Sequence, residues 1–594
     1  MTIWLLVVLL LALAPHARAV SPPLQSLCGG ACSSNMVLNY QNPTLWGERG
    51  DDETFASSTT ITVTVTTSTS TSTYSTTILD DNTWLITLPP QLPSTSNTII
   101  ITYGDNIDSN NNKNDDDSVS ITLENVAFGN TFLCGGQSNM ELELDQTDGS
   151  VLIENADFFS NSIRAMRVFH TSSPNDTLSA LTMGHDWTGD PATNCTKGCG
   201  SLGWFTTTSQ DPSLATFSAI CYGAALTIFN KTNVPIGLVQ AAWGGTRIEA
   251  WMSPSAVSSP SMCVDESVGT ARCGPAFGGE DGDRRMNSTN SGNLCSANYN
   301  GMLHPLKFMQ FDGMMWYQGE SNLDTFQDSA MDGALNYACR FKEALQDWRE
   351  IFKQALPFVY VELAACDNYP DEDISRALYP SARLAQRSIL TLPNTSFVTA
   401  IDLGNADHGV HSLLKVELSE RVGSAVISLI FDQTMPATSP AVVSTTLSSI
   451  TFDANELFFN NTSFAEEGCS FERLPFEARY VGSLDFVMVN ATIDNNDSST
   501  VLLDVGEVDE IDDIEIEEIR FNFEGFPECA LYSSKHIAPV APFRMKLKND
   551  SLCGGDEDTT QTLCNVDING IQQCCNNEME TCYPTVGCIA TPFR

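Results

Sequence analysis

Basic residues are scarce in this chain: 29 Lys and Arg stand against 73 Asp and Glu in 594 residues, a formal net charge of −44. Binding to nucleic acid or to an anionic membrane surface depends on clustered cations that release counterions, so neither class of partner is expected. The acidic excess reads as a solvated, soluble surface and not as a function in itself. Long apolar runs are also missing. No stretch of roughly 20 apolar residues occurs, so no membrane insertion is expected. Histidine is rare as well, seven residues in all, which makes His408 and His411, three positions apart, conspicuous.

One shorter apolar run is present, Ile3 to Ala14. With Ala17-Arg18-Ala19 behind it, residues 1–19 read as a secretory signal, although no Lys or Arg precedes the apolar core. Nineteen cysteines fit export into an oxidising compartment, and the odd number leaves at least one unpaired. Cys28/Cys32, Cys195/Cys199 and Cys263/Cys273 are near enough to close small loops, whereas Cys134 and Cys221 lie in apolar patterns and read as buried thiols. Ten glycosylation sequons, at Asn175, Asn194, Asn230, Asn287, Asn394, Asn460, Asn461, Asn490, Asn496 and Asn549, agree with a secreted or endolysosomal destination.

A chain of this length divides into several domains. From 20 to 129 the pattern is β: Thr60–Thr66 alternates with period two, and 84–88, 98–103 and 119–123 repeat the theme. The Ser/Thr tract 66–77 and the Asn/Asp tract 105–117 read as low-complexity loops. The simplest arrangement is a small β-sandwich. From 130 to 434, apolar strand candidates at 131–134, 165–169, 235–241, 312–317, 357–364 and 396–402 alternate with helical repeats. Ala334, Tyr337, Ala338, Phe341, Leu345 and Trp348 form one such helical face. This alternation predicts a mostly parallel α/β sheet whose site lies at the strand carboxyl ends. A second β-sandwich is expected over 435–550, where the acidic alternation 512–519 reads as a solvated strand face that discourages edge pairing. Residues 551–594 form a cysteine-rich tail. With Cys469 and Cys529 it makes an even set of eight, read as a disulfide-stapled appendage; a zinc site is the alternative, with irregular spacing against it.

Four segments at predicted strand ends carry chemistry. In Cys134-Gly135-Gly136-Gln137-Ser138-Asn139-Met140 a serine follows a glycine turn, with a helix expected beneath it, which suits a nucleophile whose attack creates an oxyanion. Trp243-Gly244-Gly245-Thr246-Arg247 lets backbone N–H groups approach a ligand. In Trp316-Tyr317-Gln318-Gly319-Glu320-Ser321-Asn322, Gln318 has an amide to donate. Asp402 to His411 brings a histidine flanked by aspartates. Together they form a serine hydrolase constellation. Each segment also has a plainer reading. Asp402, Asp407, His408 and His411 fit a metal site, Asp407 and His408 fit a helix cap, the glycine pairs fit ordinary turns, and Arg247 fits a structural role.

At these residues the sequence resembles the sialate O-acetylesterase family, within the SGNH-type carbohydrate esterases. The matching words are Gly135–Met140, Pro235–Gln240, Trp243–Thr246, Ile248–Trp251, Tyr299–Pro305 and Trp316–Asn322, in family order. The likeness reaches back to Asn35–Leu38 and Trp84–Pro90, weakens after 430 and is absent from the tail. It implies a flavodoxin-like, three-layer α/β domain flanked by β-sandwich domains. It implies hydrolysis of acetyl esters on an O-acetylated sugar or glycan, with no metal or organic cofactor. Ser138 then looks like the nucleophile and His411 the base. Asp407 is the favoured acid, ahead of Asp402 and Glu320, and His408 is a rival to His411. Gly245 and Gln318 look like oxyanion partners, with Asn139, Arg247 and Glu320 grouped beside them at the binding site. Arg247 has the charge to steer a sugar carboxylate. Two departures stand out: Ser412 replaces the usual Pro, and Asn405 a common Asp. An acetylesterase of plant or algal polysaccharide such as xylan shares this chemistry. A carbohydrate-binding surface protein that has lost turnover is the rival from another class.

Overall fold

The computed structural model describes residues 32–48, 59–79, 83–104, 119–173, 177, 203–258, 293–326, 330–366, 372–405, 409–436, 438–446, 448–462, 469, 475–504 and 516–546, with four short strands between 562 and 590. The expected signal segment, the Asn/Asp tract, Cys195/Cys199, Cys263/Cys273 and the sequons at Asn175, Asn194, Asn287 and Asn549 lie outside them.

One strand organises the first 400 residues. It covers Val119–Gly136, 18 residues without a break, and so runs straight across the expected boundary at 129. Its first half pairs antiparallel with Ser94–Gly104 and parallel with Val37–Asn39. Its second half pairs parallel with Ile236–Ala242 on one side and Gly313–Tyr317 on the other. We number these elements in chain order: β1 (Val37–Asn39), β2 (Thr60–Thr66), β3 (Thr71–Thr77), β4 (Ser94–Gly104), β5 (Val119–Gly136), β6 (Ile163–Arg167), β7 (Ile236–Ala242), β8 (Gly313–Tyr317), β9 (Phe358–Glu362) and β10 (Thr395–Thr399). The Ser/Thr tract is not simply a loop, because Thr71–Thr77 forms β3 against β2, where its β-branched residues suit a strand.

In the α/β region the strand order is β10-β9-β8-β5-β7-β6, all parallel. Strands β7, β8 and β9 are buried at every position, so both faces of the sheet are covered. Five helices matter here: α1 (Ser138–Glu141), α2 (Ala219–Thr232), α3 (Ala330–Phe352), α4 (Glu372–Gln386) and α5 (Lys415–Val426). The expected face of α3 is buried from Ala334 to Trp348. Helix α2 starts on Ser218, whose hydroxyl accepts the Cys221 N–H at 3.1 Å, and stops at Asn233 in the left-handed region, φ 53°.

Three further expectations change. Cys134 of β5 and Cys221 of α2 are disulfide-bonded to each other, not buried thiols; apolar surroundings suit either state, and only their spatial approach distinguishes them. Cys469 pairs with Cys529, independently of the tail. The acidic strand is not an edge. Ile516–Phe521 pairs on both sides, with Phe476–Tyr480 and Phe543–Lys546. Its Glu518 is fully buried, held by Arg479 at 2.6 Å and by Arg544. This region has its own apolar core, from Ile450 and Phe452 through Phe476, Ile519 and Phe521 to Phe543.

Candidate active site

All four sequence-predicted segments leave carboxyl ends of the parallel sheet: from β5, its neighbours β7 and β8, and β10 at one edge. The β5 turn is sterically demanding. Gly136 has φ +142°, and a Cβ there would lie 2.1 Å from the Tyr317 carbonyl oxygen. That closeness lets the Gln137 N–H donate to the same carbonyl at 2.9 Å. The chain then turns sharply and presents Ser138 half-buried at the sheet's end. The helix beneath is a single turn, Ser138–Glu141, shorter than expected, so its dipole adds little.

His411 comes from the loop after β10, 273 residues further on, and its Nε2 lies 2.8 Å from Ser138 Oγ. Burial of the ring's inner side, and then the charge of Lys415, hold its pKa below the ordinary imidazole value. A neutral imidazole against a hydroxyl is the arrangement a general base requires. Asn405 donates to the His411 carbonyl at 3.0 Å. Ser412 accepts the Leu414 N–H at 3.3 Å.

The β7 loop closes the other side. Trp243 N–H donates to Gly136 O at 3.0 Å and Gly244 N–H to Glu141 Oε2 at 2.6 Å. A Cβ on Gly244 would come within 3.2 Å of Ser138 Cβ. Gly245 follows with φ +73° and is exposed. Among the described residues, neither the Ser138 nor the Gly245 N–H has an acceptor. Both are therefore available to a ligand.

Gln318 differs from expectation. It is fully buried, and its two amide hydrogens go to Thr246 O at 3.2 Å and Asn322 Oδ1 at 2.7 Å. Its amide braces the loop that carries Gly245 and leaves no hydrogen for an oxyanion. Asn139 is likewise buried and fully engaged, with Glu320, Val410 and Lys415. Arg247 Nε donates to Ser321 O at 3.2 Å, linking the β7 and β8 loops.

The candidate acids separate clearly. Asp402 is buried, with Arg421 Nη1 and Nη2 each at 2.7 Å from its two oxygens and the Tyr532 hydroxyl at 2.9 Å, so it is committed away from His411. Glu320 accepts from Asn139 at 2.6 Å, and burial raises its pKa. Asp407 and His408 lie outside the described residues. Sequence reasoning passed over His170. Its Nε2 lies 2.7 Å from Glu141 Oε1, and its ring stacks on Trp243 at 4.5 Å. Only the position of Glu141, one helical turn after Ser138, pointed toward this cluster.

The half-buried Ser138 and the exposed His411 thus meet at the end of a parallel sheet, beside two backbone N–H groups that no acceptor among the described residues engages. Residues 129–428 match the family described as carbohydrate esterase, sialic acid-specific acetylesterase. The chain belongs to that family and is a carboxylic ester hydrolase. It is 24% identical over 506 residues to the sialate O-acetylesterase of Mus musculus, covering 78% of this chain and 84% of that protein. Against the Homo sapiens sialate O-acetylesterase it is 25% identical over 302 residues, 48% of this chain and 50% of that protein. A carbohydrate acetylesterase from Xanthomonas citri shares the fold, with a TM-score of 0.64 at 22% identity over 87% of this chain and 98% of that one.

Proposed function

We propose that this protein removes O-acetyl groups from sialic acids by a two-step acyl transfer on an SGNH-type, flavodoxin-like catalytic domain covering 130–434. The observation that carries the reading is the 2.8 Å contact between His411 Nε2 and Ser138 Oγ. Ser138 Oγ attacks the acetyl carbonyl as His411 takes its proton. The tetrahedral oxyanion accepts from the N–H groups of Ser138 and Gly245. The C–O bond to the sugar breaks, and His411 returns the proton to the leaving alcohol. Water, deprotonated by the same imidazole, then attacks the acetyl-enzyme; acetate leaves and Ser138 Oγ regains its proton. Each oxyanion donor is worth about 2.7–4 kcal/mol in such sites. Asp407 is the residue proposed to hold the His411 tautomer.

A secreted or endolysosomal location belongs to the same reading. It is supported by the apolar N-terminal segment, by the disulfides, and by the exposure of the six described sequon asparagines, Asn230, Asn394, Asn460, Asn461, Asn490 and Asn496.

The test is acetate release from an aryl acetate by wild type and Ser138→Ala. Loss of release in the variant is expected, and equal rates would remove the esterase mechanism. O-acetylated sialic acid and acetylated xylan, offered side by side, decide the substrate. Preference for xylan would replace the sialate reading with the polysaccharide one.

A further inference from the structure

Beneath the reacting pair lies a buried polar cluster that the acyl transfer does not itself use. Asn139 follows Ser138 directly, and Val410 directly precedes His411. The Asn139 Nδ2 group donates to the Val410 carbonyl at 3.0 Å and to Glu320 Oε1 at 2.6 Å. Its Oδ1 accepts from Lys415 Nζ at 2.8 Å. One carboxamide therefore ties the backbone beside the serine to the backbone beside the histidine, across 271 residues of sequence. Asn139 is 1% exposed and Lys415 0%. With the amide oxygen held by Lys415, the amide cannot flip without placing its NH2 against an ammonium.

Resting on the reading of Ser138 and His411 as the reacting pair, we infer that Asn139 and Lys415 are positioning residues that set the distance between them. Two independent features support the role of Lys415. It sits at the start of α5, whose first N–H groups are capped by Asp148 Oδ1 at 2.7 and 3.0 Å, so its backbone is anchored. Its ammonium lies 5.3 Å over the Tyr317 ring, in the wall of the nucleophile turn. The ionisable groups facing it are Glu320 from the turn after β8, Asp148 from the loop after α1, Tyr317 from β8, and His411. Burial pushes the Lys415 pKa down to about 7, against the pull of Glu320 and Asp148. Its positive charge in turn lowers that of His411.

The experiment compares wild type, Ser138→Ala, Asn139→Ala and Lys415→Met on an aryl acetate, with rates per folded molecule taken from thermal melts. Ser138→Ala should be inactive. Asn139→Ala should lose about 100-fold in kcat with KM within about twofold, because displacement of a reacting group by about 1 Å costs that much. Lys415→Met should lower kcat and move the acidic limb of kcat/KM upward, since a cation near His411 is removed. It also keeps the question answerable if Asn139→Ala does not fold, because methionine fills the same buried space. Activity in Ser138→Ala would remove the reacting pair itself. An inactive Ser138→Ala beside folded variants with wild-type kcat and an unmoved acidic limb would overturn this inference alone.

Discussion

The hydroxyl of Tyr532 donates to Asp402 Oδ2 at 2.9 Å, joining the C-terminal β region to the end of β10. Asp402 is at the same time forked onto Arg421 of α5. Arg383 of α4 adds a second tie, donating to the carbonyls of Glu524 at 2.7 Å and Gly525 at 2.9 Å. The loop that delivers His411 thus leaves a strand end braced from outside the α/β sheet. Tyr532→Phe removes one hydrogen bond while Arg421 still satisfies the carboxylate. The expected cost is about 1 kcal/mol. A lower urea midpoint with an unchanged slope checks it, and no change in midpoint would show that the tie contributes nothing.

The pH profile should carry the sign of the His411 shift. Burial and the nearby Lys415 both favour the neutral ring, so its folded pKa is depressed. The neutral form is the base. Activity should therefore persist as pH falls through about 6.5, the ordinary imidazole value, and be lost only below it. The acidic limb of kcat/KM reports the free enzyme and is the quantity to measure. A midpoint above the ordinary value would mean that a closer negative charge dominates the ring.

Much of this site was legible because apolar strands bounded by glycine pairs are local signals. The strand expected over 235–241 forms over Ile236–Ala242, β5 ends on the Gly135-Gly136 turn, and His411 Nε2 lies 2.8 Å from Ser138 Oγ. What escaped depends on distance in space. The Cys134–Cys221 bond joins positions 87 apart, and burial alone does not tell a thiol from a disulfide. Gln318 carries the right amide at the right loop, but Thr246 and Asn322 claim its hydrogens, which no spacing rule reveals. Alternation marked 512–519 as a strand with one charged face. That Glu518 is buried against Arg479 and Arg544 follows only from the pairing of this strand with earlier and later ones.

The Cys134–Cys221 bond anchors the strand that ends in the nucleophile to α2. A crosslink closing a loop of this length removes denatured-chain entropy, and its loss typically costs about 2–5 kcal/mol. The double variant Cys134→Ala/Cys221→Ala should melt at a lower temperature in oxidising buffer. Below that temperature it should retain kcat, because the bond touches neither Ser138 nor His411. A melting temperature equal to wild type would show that the bond does not constrain the chain.

Gly136 and Gly244 test the same turn from two sides with different expected outcomes. At Gly136 an added methyl would meet Tyr317 O at 2.1 Å, and the backbone at φ +142° is already in a region that side chains avoid. The carbonyl that a methyl would meet is also the acceptor of the Gln137 N–H, at 2.9 Å. Gly136→Ala should lose at least about 1–3 kcal/mol from the backbone strain alone, with the steric overlap in addition. It should therefore fail to accumulate as folded protein. At Gly244 the new methyl would lie 3.2 Å from Ser138 Cβ and from Glu141 Oε2, close enough to push the β7 loop by only tenths of an ångström. Gly244→Ala should fold, melt near wild type and lose kcat, because the movement displaces the Gly245 N–H from the oxyanion. Paired melts and acetate-release kinetics separate the two. A folded, fully active Gly244→Ala would show that the Gly245 loop does not contact the reacting carbonyl.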